Sequence, residues 1–407
     1  MKQSSTLAEP WQRNLAVLWI AELVAIAGFS VTLPFLPYYV QELGVTEVKE
    51  AAFWSGALIT AQAVTMAIVA PLWGSLADRH GRKIMVERAM FGGALVIAAM
   101  GFVQNVQQLA ILRAIQGTLT GTVAAATTLV ASSTPPERRG YALGLLQMAI
   151  YLGSSVGPFL GGLIADAMGY RATFWVTGSL LFAAGLLVAT WVHEAFTPPE
   201  KTGGRAKRPL WDGLRMVFRT QPLMMAFGIR VLARMAVRTV GPIFPLFVQQ
   251  IAAPGTKIAS LTGTISGFAS AASAVAAVVL GRVSDKVGPR RILLICGAMD
   301  CVLYLLQARV QTPTQLLILR MIDGAAMGGI LASISTLLAT LAPQERFGAV
   351  YGVDTSMVAA ANAIAPMLGA ALATSWGLPS AFLGAAAMYG IATVVVAAVV
   401  PAQVNGT

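Results

Sequence analysis

The sequence predicts an all-α membrane protein of twelve transmembrane helices, arranged as two pseudo-symmetric six-helix halves with both termini in the cytoplasm. Three observations support this fold class. Hydrophobic residues make up 57% of the 407 residues, charged residues only 11%, and the mean hydropathy is +0.72, whereas soluble domains are roughly one quarter charged. Apolar stretches of about 20 residues recur along the chain. The second half of the chain repeats motifs of the first.

Each predicted span is an apolar stretch bounded by polar or charged residues. Because lipid hydrocarbon cannot satisfy open backbone groups, stretches of this length are expected to be helices. The twelve predicted spans, numbered one to twelve in chain order, cover residues 15–38, 52–76, 84–104, 107–131, 141–165, 172–192, 222–248, 258–282, 291–308, 314–339, 349–373 and 380–400.

The basic residues predict the orientation of these spans. With the N-terminus inside, most of the 28 Lys and Arg residues fall in cytoplasmic segments, as the positive-inside rule requires. The net charge of +11 is therefore expected to reflect topology, and no basic soluble module that could bind nucleic acid is predicted. We expect a multi-pass protein of the inner or plasma membrane.

The repeat has an offset of about 207 residues. Residues 74–81 (GSLADRHG) correspond to 281–288 (GRVSDKVG), and residues 113–117 (RAIQG) correspond to 320–324 (RMIDG). A duplicated unit of this length in a membrane chain is typical of a two-halved transporter. The predicted organisation is an N-terminal half over residues 1–192, a cytoplasmic linker over 193–221 and a C-terminal half over 222–407.

The linker ends in an amphipathic segment. Leu210, Leu214, Val217 and Phe218 share one face of a helix, and arginines occupy other positions. This pattern predicts a short helix on the inner membrane surface, with its basic residues toward anionic lipid headgroups. A simple tether and a regulatory lipid site are both compatible with the pattern.

Four motifs resemble those of the major facilitator superfamily. Residues 74–83 resemble its motif A and residues 113–117 its motif B. Residues 153–162 (GSSVGPFLGG) resemble motif C, which is characteristic of the antiporter branch, and Gly28 with residues 34–37 (PFLP) is similar to a drug-exporter pattern. The resemblance covers essentially the whole chain and is greatest to the twelve-span drug:proton antiporter branch.

This resemblance implies alternating access, in which two halves rock about a central site while protons move opposite to the substrate. In motif A it implies a conformational latch, in which Asp78 engages the start of span eleven and Arg82 an acidic partner in the outward-facing state; simple folding of the loop is the alternative. The latch residues are Gly74, Asp78, Gly81 and Arg82. The residues of the antiporter motif are Gly153, Gly157, Pro158, Gly161 and Gly162.

Charged side chains inside predicted spans are expected to be functional, because charges are costly in lipid. Glu22 in span one is the predicted proton carrier, since burial disfavours its charged form and favours proton exchange near neutral pH. A structural pair with an arginine, or exposure near the interface, are the alternatives. Arg113, Asp323 and Asp354 are further candidates for proton coupling. Asp323 could instead pair with Arg320, three residues away on the same helix.

Asp300 in span nine is expected to be structural. Asp354 is also compatible with a charge at a helix N-terminus or with a gating contact.

The predicted substrate cavity combines polar and apolar side chains from spans one, four, five and seven. Its predicted members are Glu22, Ile26, Phe29, Arg113, Gln116, Gln147, Tyr151, Arg234, Arg238 and Phe244. Arg230, Arg234 and Arg238 follow one another at intervals of four and align on one face of span seven, so an anionic substrate held by arginines is a second hypothesis. Structural pairing of these charges is the alternative.

The expected function is proton-coupled export of small amphipathic drugs or toxic compounds. An exporter of an anionic metabolite or sugar-like solute is the alternative within this class, and a non-transporting membrane sensor or scaffold is the alternative outside it. We expect no enzyme activity, no metal site and no cofactor beyond the proton gradient, and no phosphate-binding loop of an ATP-driven pump is present. The expected partners are the substrate, protons and membrane lipids, and we expect a monomer.

Overall fold

The computed structural model describes residues 10–194, 196, 221–341 and 347–399. Within these ranges the chain forms fifteen α-helices and two short 3-10 turns. The amphipathic linker segment predicted around residues 210–219 lies outside the described residues.

The helices of the N-terminal half are bounded as follows: α1 Pro10–Thr32, α2 Leu36–Glu42, α3 Val48–His80, α4 Arg82–Met100, α5 Val106–Leu119, α6 Thr122–Ser133, α7 Arg139–Met168 and α8 Tyr170–Trp191. Those of the C-terminal half are α9 Gln221–Val240, α10 Phe244–Ile251, α11 Ile258–Val287, α12 Pro289–Gln307, α13 Pro313–Leu341, α14 Phe347–Trp376 and α15 Pro379–Val399.

The predicted class of all-α membrane protein is confirmed. Nine helical stretches in the described ranges are long and apolar enough to cross a membrane, and the bent pair α9–α10 is a tenth. The helices α4 and α12, which correspond to predicted spans three and nine, do not meet the same criterion. Both begin with basic residues, Arg82-Lys83 and Arg290-Arg291, so less of their length is apolar. The number of twelve spans stays a prediction.

Three of the predicted spans are broken. Span one is interrupted by the 3-10 turn Leu33–Phe35, which contains a proline. Span four breaks at Gly121, whose φ of 132° lies in a region that glycine adopts without strain. Span seven bends by 45° between α9 and α10. The breaks lie at proline and glycine residues, and each of these residue types interrupts the regular hydrogen bonding or geometry of a helix.

The two halves meet along two helix pairs related by the sequence repeat. Helix α7 packs against α11, and α3 packs against α14. A Cβ atom on Gly263 of α11 would collide with the carbonyl oxygen of Pro158 on α7. A Cβ atom on Gly56 of α3 would lie 2.8 Å from the carbonyl oxygen of Pro366 on α14. Because small residues let helix backbones approach closely in a membrane, the same glycine–proline contact closes both seams.

Hydrogen bonds reinforce these seams at one end of the bundle, called here the closed end, which carries loops 43–47 and 252–257. The Tyr38 hydroxyl donates to the carbonyl oxygen of Pro245 at 2.6 Å and lies 2.8 Å from the Thr262 hydroxyl. The Ser260 amide donates to Asp166 Oδ2 at 2.7 Å. These hydrogen bonds between the halves all lie at the closed end. The opposite end of the bundle is called here the open end.

Replacing Gly263 by valine is expected to separate the halves at the closed end, because the new side chain would occupy the position of the Pro158 carbonyl. Spin labels on loops 43–47 and 252–257 should then report a longer distance. Gly144→Val is the matched control, since a Cβ atom on Gly144 of α7 meets no atom within 4 Å. An unchanged label distance in Gly263→Val protein would contradict the role of this seam.

Candidate transport site

An apolar groove opens between α1 and α7 of the N-terminal half, toward the open end of the bundle. Its volume is about 530 Å³. Aromatic and aliphatic side chains form most of its surface, with one amide at its edge. It is lined by Trp11, Gln12, Leu15, Ala16, Trp19, Ile20, Tyr141, Leu145 and Met148. Such a groove suits a lipophilic ligand better than a strongly hydrated one.

Glu22 is fully buried on α1. Leu18 and Ala25, one turn to either side on the same face of the helix, are also fully buried. Neither carboxylate oxygen of Glu22 has a hydrogen-bond partner among the described residues, and none of the described cations is within ion-pair distance of it. The alternative interpretation, a structural pair between Glu22 and an arginine, is therefore not seen among the described residues.

Arg113 is held by amides rather than by an acid. Its Nη1 donates to Gln62 Oε1 on α3 and to Gln116 Oε1 on its own helix, both at 3.1 Å. Arg113 and Gln116 are buried, and the Nε of Arg113 has no partner among the described residues. A Cβ atom on Gly117 would collide with Thr65 of α3. Motif B thus joins α5 to α3 through a buried positive charge.

Asp354 forms an ion pair that joins two helices of the C-terminal half. Arg230 Nε on α9 lies 2.9 Å from Asp354 Oδ1 on α14, and the side chains are 23% and 8% exposed. The structure therefore places this acid next to a compensating charge. Asp354 and Glu22 have opposite environments, the first paired and the second without a described partner.

Arg234 and Arg238 converge on one neutral acceptor. Both donate from Nε to Asn362 Oδ1 on α14, at 3.0 Å in each case. Both arginines are half-buried, and Arg234 lies in electrostatic range of Tyr151 on α7 of the other half. No described carboxylate forms an ion pair with either arginine. Two positive charges therefore share one amide oxygen near the boundary between the halves.

Asp323 pairs with Arg320, as the alternative interpretation of the sequence predicts. Arg320 Nη1 lies 2.9 Å from Asp323 Oδ2. The guanidinium carbon of Arg320 also lies 4.5 Å from the centre of the Phe244 ring. Phe244 is 5% exposed and therefore belongs to the packed interior of the C-terminal half rather than to an open surface in this conformation.

The other residues of the predicted cavity differ in burial. Ile26 and Phe29 are partly buried on α1, and a Cβ atom on Gly153 of α7 would lie 3.1 Å from Ile26 Cβ. Gln147 is exposed and Tyr151 is half-buried on α7. Ile26 thus contributes to helix packing, whereas Gln147 and Tyr151 lie on the same helix as the groove residue Met148.

Motif C forms the contacts of α7 on two sides. Cβ atoms on Gly153, Gly157 and Gly161 would each come within 3 Å of backbone atoms of α1, and one on Gly162 would lie 2.6 Å from the Ala259 carbonyl oxygen on α11. Together with Pro158, whose carbonyl meets Gly263, the motif fixes α7 between α1 and the other half. Its position is at the closed end.

Motif A makes the tight connection between α3 and α4. Gly81 has a φ of 96°, which favours glycine. The Glu194 carboxylate accepts hydrogen bonds from the Arg82 and Lys83 amides at 3.0 and 2.8 Å, so an acid caps the N-terminus of α4. Gly74 has no atom within 4 Å of a would-be Cβ. The side chain of Asp78 lies outside the described part of the structure.

The sequence matches the family model described as Major Facilitator Superfamily, in two segments, residues 18–250 and 226–405. The chain belongs to this superfamily. Its helical fold agrees with solved transporters at low sequence identity. A bacterial homologue of the human lysosomal transporter Spinster, in an inward-facing conformation, has a TM-score of 0.71 at 14% identity and covers 96% of this chain and 95% of its own. The nucleoside transporter NupG has a TM-score of 0.77 at 13% identity, covering 95% of this chain and 100% of its own.

Relatives of higher identity include proteins named multidrug resistance protein MdtG. The multidrug resistance protein MdtG of Rahnella sp. (strain Y9602) is 36% identical over 372 residues, which are 91% of this chain and 90% of the relative. MdtG of Yersinia enterocolitica is also 36% identical over 372 residues, 91% of this chain and 89% of the relative. The chain is therefore a superfamily transporter similar to MdtG, not an enzyme, and the predicted drug-exporter resemblance is confirmed.

Three residues of this facilitator's polar network were not selected from the sequence: Gln62, Glu194 and Asn362. The amides Gln62 and Asn362 are uncharged, so the search for intramembrane charges does not find them. Their position opposite an arginine depends on how α3 meets α5 and how α14 meets α9. Glu194 lies in the predicted linker, and no sequence motif around it indicates that it caps the distant helix α4.

Removing one partner of the Arg230–Asp354 pair is expected to destabilise the C-terminal half. Asp354→Asn should lower the free energy of unfolding by about 1–3 kcal/mol, between the values for exposed and buried pairs. The double change Arg230→Gln with Asp354→Asn should recover most of this loss, because no charge is left unpaired. Thermal unfolding of the three proteins in detergent measures the difference. A double variant no more stable than Asp354→Asn alone would contradict the pairing.

Proposed function

We propose that this protein is a proton-coupled exporter of small amphipathic compounds in the inner or plasma membrane. The observation that carries the proposal is Glu22, a fully buried acid without a described partner, on the helix that forms one wall of the apolar groove. The similarity to proteins named multidrug resistance protein MdtG supports drug export. The coupling to protons is our inference from Glu22 and from motif C.

Alternating access would follow from the two seams between the halves. Both are closed at the end that carries motif C, and the groove lies toward the other end. With both termini in the cytoplasm, as the basic residues predict, this conformation is open to the cytoplasm and can load substrate there. Rocking about the seams would expose the site to the outside. The motif A latch at Asp78 would form in that opposite state.

Glu22 is the favoured proton carrier for antiport because each of the other acids predicted for proton coupling lies next to an arginine. Asp354 pairs with Arg230 and Asp323 pairs with Arg320. An unpaired buried carboxylate is stable only when protonated, and water access in another conformation would let it release the proton. Arg113, held by two amides, is a buried positive charge of the same half, and it would stabilise the deprotonated acid in a conformation that brings the two side chains together.

The groove supports amphipathic substrates. Trp19 and Met148 present aromatic and flexible surfaces on facing helices, and methionine adapts to ligands of varied shape. Tyr151, one turn beyond Met148 on α7, leads from this surface toward Arg234. A ligand with an apolar body and a polar end would match both environments. We propose that one copy of the chain carries out transport, driven by the proton gradient and surrounded by membrane lipid.

Replacing Glu22 by glutamine is expected to separate proton coupling from substrate movement. In proteoliposomes, Glu22→Gln protein should lose substrate accumulation driven by a pH gradient at least tenfold, because the amide cannot exchange a proton. Exchange of labelled for unlabelled substrate, without a gradient, should persist. Glu137→Gln, which changes an exposed acid, should behave as the unmodified protein. Gradient-driven accumulation that survives Glu22→Gln would remove Glu22 from the proton pathway.

A second candidate function is export of an anionic solute. It is favoured by Arg234 and Arg238, which share the single neutral acceptor Asn362. Two cations near the boundary of the halves can hold a carboxylate or phosphate through charge-assisted hydrogen bonds. A substrate with an anionic end and an apolar body would satisfy both proposals.

Changing Arg234 and Arg238 to glutamine tests the anionic candidate. Each substitution should reduce export of anionic compounds at least tenfold and change export of lipophilic cations less than twofold, because only the anion loses its partner. Arg171→Gln, at an exposed pair with Glu42, is the control. Equal effects on anions and cations would contradict a specific role for these arginines.

A further inference from the structure

A buried polar cluster lies in the C-terminal half, away from the groove and from Glu22. Asp300, Tyr304 and Gln307 occupy one face of α12, at intervals of four and three residues, and all three are fully buried. Arg320 and Asp323 approach from α13: Arg320 Nη1 lies 2.9 Å from Asp323 Oδ2 and 3.5 Å from the Tyr304 hydroxyl. The cluster therefore joins α12 to α13 through ionisable groups.

The charges of this cluster do not balance when every group is ionised. Two carboxylates face one guanidinium, so one negative charge remains. Neither oxygen of Asp300 has a described hydrogen-bond partner, nor does Asp323 Oδ1. Both amide atoms of Gln307 are also without a described partner, although the side chain is fully buried. A net charge in a membrane interior is costly, so the cluster requires one additional positive charge.

The charged and titratable groups around Asp300 favour a proton over a metal cation. Asp323 and Arg320 of α13 act on it electrostatically, Tyr389 faces it from α15 and Cys296 lies on its own helix. Sodium would need several oxygen ligands and would lie next to the Arg320 guanidinium, which repels it. A proton needs one carboxylate oxygen, and two acids that share a site take up a single proton readily.

The described part of the N-terminal half has no equivalent cluster. Arg113 corresponds to Arg320 in the repeat and bonds in the same way three residues along its helix, but its partner is the neutral Gln116 rather than an acid. The position that corresponds to Asp300 is Gly93. The two acids therefore belong to the C-terminal copy alone and are not required by the packing of the repeated unit.

Arg320 connects the cluster to the break in the seventh span. Its guanidinium lies over the ring of Phe244, the first residue of α10, directly after the segment where α9 and α10 bend by 45°. A change in the charge that Arg320 faces alters how strongly it is drawn toward Asp300 and Asp323, and hence its contact with Phe244. The arginines of the proposed transport site lie on α9, before the same bend.

We propose that Asp300 and Asp323 form a second proton-binding site, in which one of the two carboxylates takes up one proton, and that this site is linked to the bend of span seven through Arg320 and Phe244. When a proton from water binds a carboxylate oxygen of the pair, the net charge of the cluster changes from −1 to zero. The inference goes beyond exchange at Glu22, and its test detects carboxyl protonation directly. The second proton site can therefore be absent in a working antiporter, and it can be present in a protein that does not carry out antiport.

Infrared spectroscopy of the full-length protein in lipid tests the site. Glu22→Gln protein should retain a carbonyl band of a protonated buried carboxyl, and this band should disappear as the pH is raised. Adding Asp300→Asn should remove the titrating band, and Asp300→Glu, which keeps the acid, should shift it. Asp285→Asn, at an exposed acid of α11, should leave it unchanged.

Three outcomes would overturn the proposal. A band that is absent at every pH would mean that both acids are ionised. A band that is unchanged across the pH range would mean a permanently protonated, structural acid. A band that responds to sodium at constant pH would indicate a metal cation site instead.

The link to span seven is tested with two phenylalanines of α10. Because linkage is reciprocal, Phe244→Leu should shift the pH midpoint of the titrating band by at least half a unit. Phe247→Leu is the matched control, since the Phe247 ring packs on Phe382 at 4.8 Å rather than on Arg320. Equal midpoints in both variants would show that the proton site and the bend are independent.

Discussion

The glycine–proline contacts between the halves are the constraint on which the rest of the structure depends. Gly263 meets Pro158, and Gly56 meets Pro366 at the equivalent position of the repeat. Backbone contact without an intervening side chain holds the halves together with little polar bonding. The cross-half hydrogen bonds of Tyr38 and Asp166 lie at one end of the bundle. The groove between α1 and α7 lies toward the other end.

The distribution of charge follows from this arrangement. The buried acid Asp354 lies next to an arginine within the C-terminal half, whereas Glu22 in the N-terminal half has no described partner. Arg234 and Arg238 have the reverse imbalance. A transporter that exchanges a proton for a solute needs groups whose charge is satisfied in one state and not in another. The unbalanced groups are therefore better candidates for coupling than the paired ones.

The sequence predicts the class and the repeat well, because both depend on hydropathy and on short motifs that persist in each half. It also predicts the Arg320–Asp323 pair, since side chains three residues apart on a helix are neighbours on its surface. It does not predict that Phe244 lies beneath Arg320 or that Asn362 joins two arginines. Those contacts depend on helix breaks and on the packing of distant spans. Asp300 is expected from the sequence to be structural. That its carboxylate has no described hydrogen-bond partner is seen only when α12 and α13 are placed together.

Proton movement in sealed proteoliposomes tests the central claim most directly. The unmodified protein would be reconstituted with a pH-sensitive dye inside, and lipophilic cations and small anions would be added in turn. The account predicts that an exported compound moving in one direction drives protons in the other, and that a compound which is not transported drives none. Substrate movement without proton flux, or protons moving in the same direction as the substrate, would contradict drug:proton antiport.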